Sequence, residues 1–150
     1  MSKIFVKNRD AIEQMDFAPK TALISITDAG WSYAKLKDEP DYILRLSFDD
    51  VDNDIFLGTT EAEREYIANK WHMLSDEQAK QIAEFYVKIR NKADIIICQC
   101  EHGQSRSAAV AAAILEYRSR SGIKVFASDK YYPNKAVFNK VLQALKTIER

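Results

Sequence analysis

Three stretches of the chain are rich in β-branched and aromatic residues and bounded by polar or turn residues: TALISIT at 21–27, DYILRLSF at 41–48 and ADIIICQC at 93–100. Runs of this kind predict strands, and KIFV at 3–6 is a candidate fourth. The apolar positions of ADIIIC do not alternate, so this strand is predicted to be buried on both faces, at the centre of a sheet covered by helices. Helical patterns flank it. Ser75 and Gln78 form a capping box ahead of Ile82, Phe85, Tyr86 and Ile89 on one face, which predicts a helix over 75–92. Residues 105–121 are rich in alanine, carry Arg118 and Arg120 in the last turn and are predicted to stop at Gly122. Behind Pro133, from about Asn134, residues Val137, Val141, Leu145 and Ile148 recur at helical spacing. Between 53 and 74, IFLGTT reads as loop, and Thr60 with Glu63 caps a short helix through Lys70.

Strands alternating with helices predict an α/β fold, with a central, mostly parallel sheet of four to five strands flanked by helices. The chain has 150 residues and 47% hydrophobic content, enough for one domain with its own core. Basic and acidic residues balance at 22 each, so no bulk field favours nucleic acid or an anionic membrane, and any polyanion has to be held locally. The longest apolar run, AAVAAAIL at 108–115, is far short of the roughly 20 residues that span a bilayer. The start lacks the apolar core of a secretory signal, so a cytoplasmic location is expected. Cys98 and Cys100 lie one residue apart with no other cysteine to pair with, and reduced thiols follow.

The chemistry concentrates in CQCEHGQSRS at 98–107, which reads as the end of a strand, a loop and the start of a helix. Amides at a helix N-terminus lack partners and the helix dipole favours an anion there. Gly103 lets the backbone curl so that successive amides form an anion-holding nest. Cys100 at its lip feels the same positive potential, which favours the nucleophilic thiolate. Arg106, five residues on, can present a planar fork to two phosphate oxygens, and Ser107 can hold a hydrogen bond to the sulfur.

Cys100, Gly103, Arg106 and Ser107 spell C-x-x-G-x-x-R-S. This resembles the active-site loop of the cysteine-dependent protein tyrosine phosphatases, and the small chain is most similar to their dual-specificity branch. The resemblance implies a phosphotyrosine protein phosphatase-like fold and a phosphomonoesterase that works through a phosphocysteine, with no metal or organic cofactor. Residues 101–106 (Glu101, His102, Gly103, Gln104, Ser105 and Arg106) would hold the phosphate, and Cys100, Arg106, Ser107 and an aspartate would carry the chemistry. Against compact members of that family, the segment at about 53–74 is lengthened. Its Phe56, Tyr66, Trp71 and His72 are readable either as a lid that grips a phosphotyrosyl ring or as core. The family has His immediately before the nucleophile, whereas this chain has Gln99, which adds no positive charge and predicts a less stabilised thiolate.

The acid comes from SFDDVDND. A positioned carboxylic acid that protonates the leaving oxygen contributes about 10²- to 10⁴-fold. In the family the acid follows a strand, often as the last of an acidic pair, which favours Asp50, then Asp52, then Asp49. The same cluster also reads as a solvated turn. Rival readings fit less well. A serine nucleophile elbow needs a downstream histidine, yet His72 and His102 both precede Ser105. A rhodanese-type loop has a shorter gap between Cys and Arg. Zinc would need Cys98, Cys100 and His102 to converge from nearly consecutive positions. An EF-hand starting at Asp50 would put Ile55 where the turn needs glycine, and a haloacid-dehalogenase motif would find Asp54 in place of a branched residue. Cys98 reads as a small buried hydrophobe.

The loop interior carries no lysine, so a polyanionic phosphoinositide headgroup gains little there. The expected substrate is therefore phosphotyrosine in a protein or peptide, with phosphoserine and phosphothreonine open, and neither nucleic acid nor membrane is an expected partner. The alternatives are a phosphate-binding module with little turnover and a phosphatase of small molecules or phosphoinositides.

Overall fold

The computed structural model describes residues 1–148. Strands β1 (Lys3–Lys7), β2 (Thr21–Thr27), β3 (Tyr42–Ser47) and β4 (Ile95–Gln99) form one sheet in the order β1-β4-β2-β3, with every pair parallel. Strand β4 lies between two neighbours, and from Ile96 onward it is buried on both sides, as its unbroken apolar run predicts. Helices α1 (Arg9–Glu13), α2 (Glu61–Lys70), α3 (Asp76–Ile89), α4 (Arg106–Ser119), α5 (Ile123–Phe126) and α6 (Lys135–Ile148) complete the described elements, with a 3-10 turn at Asn53–Phe56. Among the described residues no helix is long and apolar enough to cross a membrane.

The period of two along a strand divides the core. Ala22, Ile24, Ile26, Ile96, Cys98 and Cys100 form one cluster with the apolar faces of α3, α4 and α6. Leu23 and Ile97 face the other way, onto Ile12 of α1 and Ala34. Each fully buried isoleucine or leucine stabilises the fold by about 1.5–3 kcal/mol relative to its exposed state. Helix α3 starts as predicted: Ser75 Oγ accepts from Gln78 N at 3.1 Å and Gln78 Oε1 from Ser75 N at 3.0 Å. The Gln78 amide also donates to Ser47 O at 2.9 Å, which ties this helix to the end of β3.

Helix α4 corrects the expected stop. It ends at Ser119, and Arg120 takes the left-handed conformation at φ 54° with its N–H on Glu116 O. Gly122 lies beyond, where a Cβ would meet Ala112 O at 2.7 Å and Glu116 Cβ at 2.9 Å. That glycine is required by close approach of the chain to α4, and the helix ends before it. Small side chains let α4 bury every residue from Arg106 to Ile114, with Ala108 and Ala112 against Val125 on one side and Ala109, Val110 and Ala113 in the main core on the other. Helix α2 has the predicted Thr60–Glu63 capping box but buries no residue. Helices α1 and α5, of five and four residues, are too short to leave a periodic signal in the sequence.

Candidate active site

The C-terminal ends of the four parallel strands open on one side of the sheet, where ligands of α/β folds are held. Strand β4 leads into the loop that ends at α4, and attachments on two sides shape this loop. Cys100 N donates to Lys7 O at 3.4 Å, and Arg9 N donates to Glu101 O at 3.1 Å. Gly103, at φ 68°, lies so close to the β1–α1 turn that a Cβ would meet Asn8 N and Lys7 C at 2.8 Å each. On the far side, Gln104 O accepts from Tyr132 N at 2.8 Å and Ser105 O from Asn134 N at 3.2 Å. Those bonds occupy the carbonyls of Glu101, Gln104 and Ser105. Among the described residues, none of the amides of 101–106 has a protein acceptor. Free N–H groups at a helix N-terminus are the donor set an oxyanion needs.

The loop lines a cavity of about 260 Å³ together with Asp50 and Tyr132. Cys100, His102, Gln104, Ser105 and Arg106 all border it. Cys100 is only 2% exposed, so its sulfur is reached through that cavity alone. Its Sγ lies 3.0 Å from Ser107 Oγ, the contact expected from the sequence. Glu101 and Gly103 do not border the cavity: Glu101 turns its carboxylate to Arg9 at 3.5 Å, and Gly103 is pressed on the turn below.

Arg106 is buried at 3% exposure. One terminal nitrogen donates to Phe48 O and pairs with Asp28 Oδ1, each at 2.7 Å, while its buried Nε has no protein acceptor. A guanidinium held from behind with an unpaired N–H on the same fork is fitted to take an oxygen of an anion.

The four aspartates of the acidic cluster separate clearly. Asp50 alone borders the cavity, and its Oδ1 accepts from Ser105 Oγ at 2.7 Å and from Asn134 Nδ2 at 3.0 Å. Asp49 is buried and ties two loops together, accepting from Ala29 N at 3.1 Å and His72 N at 2.8 Å. Asp52 caps the 3-10 turn through Asn53 N and accepts from Lys135 N at 2.8 Å. Asp54 is exposed on that turn.

Gln99 is fully buried beside Ser25, its partner in the sheet register. Its amide donates to Cys100 O at 3.1 Å and its carbonyl accepts the Ser25 hydroxyl. Cys98 is also fully buried, and its thiol is pushed up to about 12, first by burial and second by the charge of Cys100. It sits in the core as expected.

The aromatic residues of 53–74 are not at the cavity. Phe56 and Trp71 line a separate apolar pocket under α2 with Val51, Ile55 and Ile67, and Tyr66 is mostly exposed. The sequence reading missed Asp28, Asn134, Tyr132 and Arg9. Asp28 had a signal, since it directly follows a parallel strand; Asn134 and Tyr132 had only their position next to a helix start.

No protein-family model matches the chain, and no curated protein matches its sequence. Solved structures do resemble it. Human DUSP28 superposes with a TM-score of 0.53 at 17% identity, over 97% of this chain and 93% of that one. A mouse protein described as a dual specificity phosphatase, complexed with zinc tungstate, gives 0.53 at 18% identity, over 97% and 84%. PTPMT1 in complex with PI(5)P gives 0.51 at 15% identity, over 87% and 79%. With β4, the cysteine loop and α4 arranged as described, this chain has an α/β fold like that of those dual specificity phosphatase structures.

Proposed function

We propose that the chain is a phosphomonoester hydrolase that works through a phosphocysteine. The observation that carries this reading is the buried Cys100, 3.0 Å from Ser107 Oγ, facing the same small cavity as Arg106, whose Nε has no protein partner. Cys100 thiolate attacks phosphorus while the loop amides and Arg106 hold the non-bridging oxygens. The bond from phosphorus to the ester oxygen breaks, and Asp50 gives that oxygen its proton. Water then attacks the phosphocysteine, Asp50 takes a proton from it, and the sulfur–phosphorus bond breaks with Ser107 stabilising the departing thiolate.

Phosphotyrosine in a protein or peptide is the favoured substrate. The cavity is lined by neutral or aromatic side chains apart from Asp50, Cys100 and Arg106, and no lysine stands in it to attract a polyanionic headgroup. PTPMT1 was solved with PI(5)P, which makes a phosphoinositide the first competitor to assay. Turnover of para-nitrophenyl phosphate by the wild type, compared with Cys100→Ser and Asp50→Ala, tests the reaction. Hydrolysis should vanish in the first variant and fall steeply in the second. A wild type no faster than Cys100→Ser would leave the second reading, a phosphate-binding module, which the uncharged Gln99 behind the nucleophile favours.

A further inference from the structure

We infer that Tyr132 is the specificity-determining wall of the cavity, and that its ring packs on the aryl group of a phosphotyrosyl substrate. Two backbone bonds fasten the segment that carries it to the phosphate loop, Tyr132 N to Gln104 O at 2.8 Å and Asn134 N to Ser105 O at 3.2 Å. Asn134 also donates to Asp50, so the rim, the loop and the acid form one hydrogen-bonded unit. Tyr132 precedes Pro133, and a residue before proline is confined to extended backbone. Successive side chains of extended backbone point to opposite sides. Tyr131 accordingly packs inward on the Ala108, Ala112 and Val125 cluster, while Tyr132 borders the cavity.

Tyr132 remains 73% exposed, a large side chain whose backbone is held at the mouth of the site. Of the cavity's lining residues only His102 and Tyr132 are aromatic, and His102 belongs to the phosphate loop itself. Phe56 and Trp71 line another pocket and Tyr66 is mostly exposed, so Tyr132 is the ring that the rest of the fold brings to the cavity. A phenyl ring leaving the cavity mouth meets it; a seryl side chain has no ring to offer. Aromatic contacts add about 0.5–1.5 kcal/mol beyond buried area, which corresponds to about 2- to 10-fold in affinity.

This inference rests on the reading of the cavity as a phosphate site, and the experiment separates the two. The affinities of a phosphotyrosyl peptide, its phosphoseryl counterpart and tungstate are measured for Cys100→Ser carrying Tyr132, Tyr132→Ala or Tyr132→Phe, with kcat/KM for both peptides in the matching active proteins. The ratio of phosphotyrosyl to phosphoseryl affinity, and of phosphotyrosyl to tungstate affinity, should fall about 2- to 10-fold in Tyr132→Ala and be kept in Tyr132→Phe. Ratios unchanged in Tyr132→Ala, or equal losses for all three ligands, overturn the role of the ring while leaving the phosphate site standing. Failure of the Tyr132 protein to bind tungstate overturns both. Binding with the expected ratios but without turnover sinks the hydrolase reading and keeps this one.

Discussion

The side-chain amide of Gln99 donates to the carbonyl of Cys100 at 3.1 Å, and the same side chain accepts the hydroxyl of Ser25 from the neighbouring strand. A neutral residue thus fixes the peptide that carries Cys100, with both of its polar ends satisfied and fully buried. Gln99→Leu leaves the Ser25 hydroxyl and the Cys100 carbonyl without partners, and each orphaned buried group costs about 1–3 kcal/mol. Urea unfolding should report that loss in Gln99→Leu and recover part of it when Ser25→Ala removes the stranded hydroxyl. A second substitution that only adds to the first would show that the pair is not coupled.

The three candidate acids should part by what each substitution damages. Asp50→Asn is expected to lower kcat roughly 10²- to 10⁴-fold, most for alkyl esters, whose leaving oxygens depend most on a proton. Its melting temperature should change little, because Asp50 is exposed. Asp49→Ala removes the acceptor of two backbone N–H groups from a buried position and should cost about 1–3 kcal/mol of stability. Asp52→Ala loses a cap and should cost about 0.5–2 kcal/mol. Kinetics and thermal melts on the three variants check the division. A kinetic loss at Asp52 larger than at Asp50 would move the acid role there.

Gly103→Ala tests the support beneath the cavity. The left-handed conformation alone costs a residue with a Cβ about 1–2 kcal/mol, and here that Cβ would also strike the backbone of Lys7 and Asn8. Both stability and tungstate binding should therefore suffer. An alanine variant as stable as the wild type would mean that the loop does not rest on the β1–α1 turn.

Cys98 sets an alkaline limit on stability. Its folded thiol is pushed up from 9.0 to about 12, mainly by burial and then by the charge of Cys100. Above 9.0 the unfolded chain releases a proton that the folded chain keeps, so this contribution is complete below 9.0 and is lost as pH rises through about 12. Cys98→Ala should show a shallower fall of unfolding free energy over that window than the wild type. Parallel curves would argue that the thiol titrates normally in the fold.

The strands were legible from runs of β-branched and aromatic residues, α3 and α6 from apolar residues at helical spacing, and α4 from its alanines. The cysteine loop was legible because its residue types and spacing are local. Tyr132 borders the cavity, Asp28 pairs with Arg106 and Asn134 bonds Asp50, each from another segment, across tertiary contacts that no local pattern encodes. Asp50 could be ranked above its neighbours by motif, but only the fold shows Asp49 and Asp52 engaged with backbone amides elsewhere. The expected stop at Gly122 failed because glycine serves two needs, and here close packing on α4 is the operative one.

The most direct measurement is acid quenching of a phosphotyrosyl peptide reaction in Cys98→Ala protein, followed by mapping of the phosphoryl group by mass spectrometry. The substitution leaves Cys100 as the one thiol in its peptide. The predicted result is a phosphoryl group on Cys100 that accumulates within the first turnover and disappears as substrate is consumed. Turnover with that group on another side chain, or with none attached to the protein, would contradict the account.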